Sequence, residues 1–99
     1  MKNLEIRKKE EAVLLIGEID VGNCSLFKEQ LNEIIDATEG EFILDFSSLN
    51  YIDSAGLGIL VGIFKRLNEN NRKLTITEAN DYIKKLFRIT KLDTLFDVL

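Results

Sequence analysis

Asp53-Ser54-Ala55-Gly56 sets a carboxylate, a hydroxyl and a bare backbone in near succession, ahead of an apolar pattern of helical spacing that begins at Leu57. A serine in the first turn of a helix can accept a hydrogen bond from one of the orphan backbone N–H groups, and Ser54 reads first as such a cap. The same position suits a phosphate. A phosphoryl group on Ser54 would meet unpaired N–H groups and the positive end of the helix dipole, and would add about 1.5 to 2 units of negative charge. Gly56, Gly58 and Gly62 fall within this one helix, and each exposed interior glycine costs about 1 kcal/mol relative to alanine. Gly58 and Gly62, spaced by four, would let the helix approach a sheet closely. Gly56, near the helix start, would leave the backbone open to an anion or a partner. Asp53 itself, with Asp20 and Asp45, would surround Ser54 with acid if all three sit at one sheet edge. Their structural alternative is turn formation and charge complementarity at helix starts.

What could activate Ser54 is limited by composition. The 99 residues include no His, Pro or Trp, so no Ser/His or Cys/His couple can form and the commonest transition-metal ligand is missing. Thirteen Lys plus Arg against 17 Asp plus Glu give a net charge of −4. That balance argues against nucleic-acid binding, which needs clustered cations. Arg7-Lys8-Lys9 and Lys84-Lys85 have acids beside them and read as solvated faces. Cys24 is the single cysteine, which excludes an internal disulfide or CxxC site and fits a reducing compartment. The opening residues from Met1 lack the apolar stretch of a secretory signal, and the longest apolar window, Ala55 to Phe64, is far shorter than the roughly 20 residues of a membrane span. The expectation is a cytoplasmic protein with no membrane contact and no cofactor, folded as a single domain over residues 1–99.

The elements that must position Ser54 follow from apolar spacing. Leu4 and Ile6 alternate with charge, which predicts an edge strand, and Val13 to Ile19 predicts a more buried one paired with it as an antiparallel hairpin. Asn23 or Ser25 can cap a helix carrying Leu26, Phe27, Leu31, Ile34 and Ile35, with Gly40 as a stop. Phe42 to Phe46 predicts a central strand interrupted by Asp45. Ser47 to Asp53 leads to the second helix, with Leu57, Leu60, Val61, Phe64 and Leu67 on one face. Leu74 to Thr77 predicts another strand, Asn80-Asp81 starts a third helix with Ile83, Leu86 and Phe87 inward, and Thr90 to Leu99 packs back as an apolar tail. Each strand-helix-strand passage is a right-handed parallel crossover, so the fold class is α/β with a mixed sheet: parallel strands plus an antiparallel N-terminal edge. Sites in such sheets gather where strand ends meet helix starts. Gly17 to Gly22 and Asn50 to Gly56 are two such turns.

The segment Leu44-Asp45-Phe46-Ser47-Ser48-Leu49-Asn50-Tyr51-Ile52-Asp53-Ser54-Ala55-Gly56-Leu57-Gly58 resembles the signature of STAS domains, particularly the bacterial anti-sigma factor antagonists. Gly17-Glu18-Ile19-Asp20 resembles their shorter second motif, and the order of elements agrees over nearly the whole chain. The resemblance implies a regulatory protein rather than an enzyme. In that family the serine after the aspartate is phosphorylated by the anti-sigma factor, itself an ATP-dependent serine kinase; here that serine is Ser54. The unphosphorylated antagonist binds the anti-sigma factor and frees the sigma factor, and a metal-dependent serine phosphatase reverses the modification. Asp20 and Asp53 match the family's acidic positions around the switch. Ala55 stands where some members carry a second serine. A contact surface of Asp20, Asp53, Ser54, Ala55, Gly56 and Leu57 follows, with Leu57 and Ile52 or Tyr51 supplying apolar area or, alternatively, belonging to the core.

Two other readings compete. A STAS module could serve another phosphorylation pathway. A receiver-like domain could hold Mg²⁺ on Asp20, Asp45 and Asp53, since carboxylates suit a hard cation. The paired acids after an early strand and the lysine ending a late one, which a receiver would show, are missing, as is a GxxxxGK[ST] loop.

Overall fold

The computed structural model describes residues 3–99; Met1 and Lys2, with which the opening stretch begins, lie outside them. Strand β1 (Leu4–Lys8) pairs antiparallel with β2 (Val13–Ile19), placing Ile6 opposite Leu15. Both face the core, whereas Glu5 and Arg7 point to the open side. Helix α1 (Cys24–Asp36) carries the chain to β3 (Phe42–Ile52), α2 (Ser54–Glu69) leads to β4 (Leu74–Thr77), and α3 (Asp81–Ile89) is followed by a single 3-10 turn at Leu92–Thr94. The apolar tail ends by adding a two-residue strand, β5 (Asp97–Val98), parallel to β4. The sheet order is β1-β2-β3-β4-β5, parallel from β2 onward. Because every crossover steps in the same direction, right-handed connections put the three helices on one face of the sheet.

Between that face and the helices lies the core. Leu15, Ile19, Leu44, Phe46, Leu49 and Ile52 project from the strands toward Phe27, Leu31, Leu60, Ile63, Ile83 and Phe87 of the helices, all nearly inaccessible to solvent. The buried face of α2 is Gly56, Leu57, Leu60, Ile63 and Leu67. Val61 and Phe64 are only half-buried, so the helix is rotated slightly from the face expected of it, with Ile63 inward.

Strand β3 is far longer than its first apolar run. Its burial alternates through Phe46 and then falls into the pattern Ser47 and Ser48 out, Leu49 in, Asn50 and Tyr51 out, Ile52 in. The register against β2 explains this. Leu14 faces Asp45 but Ile16 faces Ser48, and Gly17 faces Leu49 but Glu18 faces Tyr51, so β3 carries an extra residue at each of two bulges. Each bulge restores the inward parity of the next apolar residue. Asp45 sits at the first, where its Oδ1 accepts a hydrogen bond from the Ser47 N–H at 2.8 Å. Gly17, in the left-handed region at φ 112°, marks the second. A Cβ there would lie 2.0 Å from the Asn3 carbonyl oxygen, so only glycine lets β1 cross at this point.

Candidate functional site

The two turns singled out by sequence meet at the carboxyl end of β2 and β3. The Asp53 N–H donates to the Ile19 carbonyl at 3.1 Å, holding the end of β3 to the end of β2. Asp53 is the cap of α2. Its Oδ1 accepts from the Gly56 N–H at 3.0 Å and its Oδ2 accepts from the Val21 N–H at 3.0 Å. One carboxylate thus pins both the helix start and the β2–α1 loop, which fixes the two turns relative to each other. Ser54 is therefore not the cap, as expected from its residue type, but the first residue inside the helix. Its side chain, relieved of capping, is exposed. Asp53 takes the capping role because the bulged strand ends at Ile52 and leaves Asp53 extended, at φ −100° and ψ −176°.

The β2–α1 loop is built with similar economy. The Asp20 Oδ1 accepts from the Gly22 N–H at 2.8 Å, and the Asp20 carbonyl accepts from the N–H groups of Asn23 and Cys24. Asn23 is buried, and its side chain does not cap α1. Instead its Oδ1 accepts from the Asp20 N–H at 3.0 Å while its amide donates to the Glu18 carbonyl at 2.9 Å, closing the loop upon itself. Val21 at the tip is 78 % exposed. Sequence reasoning had not singled it out, although an apolar β-branched residue between Asp20 and Gly22 in a turn was the available signal.

Several expectations change in physical terms. Gly56 does not open the backbone to an anion: it is buried, and its N–H is occupied by Asp53. Leu57 is 8 % exposed and belongs to the core, as does Ile52. Gly58 and Gly62 do not mediate close approach to the sheet, since a Cβ at either would meet open space and both are exposed. Tyr51 is exposed and stacks on Tyr82. Asp45 lies seven residues of β3 before Ile52, roughly 20 Å from Asp53 at strand rise, so the three aspartates do not converge on an ion. Among the described residues no three His, Cys, Asp or Glu side chains gather as a metal site. Nor is any helix among them long and apolar enough to cross a membrane.

What remains at the sheet edge is an exposed hydroxyl at Ser54 and the small, half-buried Ala55, flanked by Asp20, Asp53 and the apolar tip Val21. The first N–H groups of a helix have no intrahelical partner. Here Gly56 and Leu57 satisfy theirs on Asp53, so those of Ser54 and Ala55 form the open end of α2. The arrangement presents a hydroxyl in a chain that has no imidazole to activate it. It is suited to being modified and contacted.

Comparison with known proteins agrees with this organisation. The chain is 31 % identical over 100 residues to the anti-sigma-B factor antagonist of Listeria monocytogenes, spanning 97 % of this chain and 87 % of that protein. Its fold matches the anti-sigma factor antagonist SpoIIAA in its unphosphorylated form, with a TM-score of 0.76 at 18 % identity over 97 % of this chain and 87 % of that one. The phosphorylated form of the same Bacillus protein superposes with a TM-score of 0.69 at 18 % identity, over 97 % and 90 % of the two chains. The STAS domain model matches residues 3–99, and the protein belongs to the STAS domain family.

Proposed function

We propose that this protein is a cytoplasmic anti-sigma factor antagonist without enzymatic activity of its own, switched by phosphorylation of Ser54. The observation that carries the reading is the exposed Ser54 at the first position of α2, freed from capping because Asp53 does that work. The name of the Listeria relative and the existence of SpoIIAA in two phosphorylation forms support it. The unphosphorylated protein binds an anti-sigma factor and thereby releases the sigma factor. The anti-sigma factor, acting as a serine kinase, transfers the terminal phosphoryl group of ATP to the Ser54 Oγ, and the hydroxyl proton leaves to a base on the kinase. A metal-dependent serine phosphatase hydrolyses the phosphoester and restores binding.

The roles of the surrounding residues divide by exposure. Ser54 and Ala55 face the partner directly, and Asp20 and Asp53 give the edge its negative character. Gly56 and Leu57 act from beneath, by seating the helix start on Ile19 and Ile52. A phosphate added here meets like charge and must be desolvated against a docked surface, so binding weakens without any refolding. Incubation with the cognate anti-sigma factor and ATP, followed by intact mass and peptide mapping, is the test. One phosphate on Ser54, lost in Ser54→Ala while Ser54→Ala still binds the anti-sigma factor, is expected; phosphate on another residue, or none, overturns the assignment.

A further inference from the structure

The edge that carries Ser54 continues onto two tyrosines that add little to the core. Tyr51 and Tyr82 are 39 % and 50 % exposed. Their rings lie within 11° of parallel with centroids 6.3 Å apart, a stacked arrangement that orders two large amphipathic side chains without hiding them. Tyr51 precedes Ser54 by three residues, so their Cα atoms are within about 10 Å. Tyr82 is brought to it by the β4–α3 loop. There Asn80 caps α3 through the Ile83 N–H, and its amide reaches the carbonyls of Leu49 and Asn50 at 3.4 Å, beyond the point where β4 ends.

Exposed carboxylates neighbour the pair across the sheet and along the chain. Glu18 is the cross-strand partner of Tyr51, Asp81 precedes Tyr82, and Glu78 stands at the bend after β4. Along α3 the cations Lys84 and Lys85 follow Tyr82 by two and three residues. Glu78 adopts φ 58°, a left-handed conformation that is disfavoured for a non-glycine residue. Its carboxylate is exposed at the start of the loop that leads from β4 to Tyr82.

Taken together, we infer that Tyr51 and Tyr82, neighboured by Glu18, Glu78 and Asp81, form a second docking platform for the anti-sigma factor, receiving a segment that carries Lys or Arg. Aromatic faces attract cations, and the neighbouring carboxylates complement them and speed encounter. The platform rests on the function proposed above; Tyr51 stands three residues before Ser54, and the platform contributes affinity in the unphosphorylated state.

Calorimetric titration of the purified protein with its cognate anti-sigma factor, at low and high salt, tests it. Tyr82→Ala is expected to weaken binding about tenfold or more, and Tyr82→Phe to stay within about twofold of wild type. Glu78→Lys is expected to weaken binding at low salt and flatten its salt dependence. Both positions are exposed, and thermal melts of the variants confirm folding. Tyr82→Ala and Glu78→Lys binding as tightly as wild type would overturn the platform while leaving the Ser54 switch intact. Failure of the wild type itself to bind the anti-sigma factor would overturn the switch and the platform with it.

Discussion

Replacing Gly56 by alanine isolates the contact that seats the start of α2 on the sheet. A Cβ at this position would lie 2.7 Å from the Ile19 Cγ2, 2.7 Å from the Ile52 Cγ1 and 3.1 Å from the Ile52 Cδ1. Carbon atoms pack best at about 3.5–4.0 Å, so two contacts are short by roughly 1 Å. Neither isoleucine has room to move, since both are fully buried and β-branching limits their rotamers. Overpacking costs about 1–3 kcal/mol, and two contacts at 2.7 Å against immobile side chains put this site in the upper part of that range, about 2–3 kcal/mol, while the gain in helix propensity returns about 1 kcal/mol. A net loss of about 1–2 kcal/mol corresponds to a Tm lower by roughly 4–16 °C for a domain of this size. Gly58→Ala and Gly62→Ala in the same helix should do the opposite. Their Cβ atoms enter open space, and each should stabilise by about 0.5–1 kcal/mol. Urea titration and thermal melts of the three single variants give the comparison. A Gly56→Ala protein as stable as wild type, or three shifts of one sign, would refute the assignment of Gly56 to a packing role. Because Ile52 and Ile19 immediately precede Asp53 and Asp20, Gly56→Ala should also slow Ser54 phosphorylation at temperatures where the variant is fully folded.

Asn23→Ala should cost about 2–3 kcal/mol in urea unfolding, because the Asp20 N–H and the Glu18 carbonyl each lose their partner in a part-buried loop; a change below about 0.5 kcal/mol would show that water replaces the side chain. At the far edge, Lys73 Nζ is 2.7 Å from the Asp97 carboxylate, tying β4 to β5. The hydrogen bond that Lys73 donates to the Asp97 carboxylate and the charge of that carboxylate, with Glu41 adding to them, raise the Lys73 pKa above its ordinary 10.5. A raised pKa in the folded state means that the stabilisation is complete at neutral pH and is lost as pH climbs through the raised value. The pair is exposed and screened, so the difference in Tm between wild type and Lys73→Gln should be small at neutral pH, shrink with salt, and close at alkaline pH. A difference that grows above that pH would contradict the sign.

Much of the fold was legible because its strands and helices keep their own periods. The 2.0 period of β1 and the 3.6 period of α1 and α3 identify those elements directly, and the order of elements then leaves little freedom in topology. The second half of β3 was not legible, since two bulges break the alternation that would mark Ser47 to Ile52 as strand. Nor was β5, which is two residues long and exists only because β4 offers an edge. At the site, the Asp53-Ser54 pair announced a helix start, but both residues are good caps. Which one caps depends on where β3 ends, and that is set by long-range pairing to Ile19. The role of Asn23 was hidden for a related reason: its partners belong to the end of β2 and the loop, not to the helix it precedes. Gly58 and Gly62 showed the reverse, a local pattern whose expected packing has no counterpart in space.

The two bulges of β3 also determine how this edge tolerates change in length. Between Val13 and Ile19 the partner strand advances six positions while β3 advances eight, from Leu44 to Ile52. Each insertion moves the following residues forward but returns Leu49 and Ile52 to the same side, much as a reading frame is restored after a shift. Deleting Asn50 would remove the unpaired residue of the second bulge and leave Leu49, Tyr51 and Ile52 in plain alternation opposite Gly17, Glu18 and Ile19, so Ile52 would stay inward and Asp53 would keep its place beside Ile19. The bulges are thus the points where the strand can absorb a change of one residue, and the address of Ser54 is set by which side Ile52 faces rather than by a fixed count along β3.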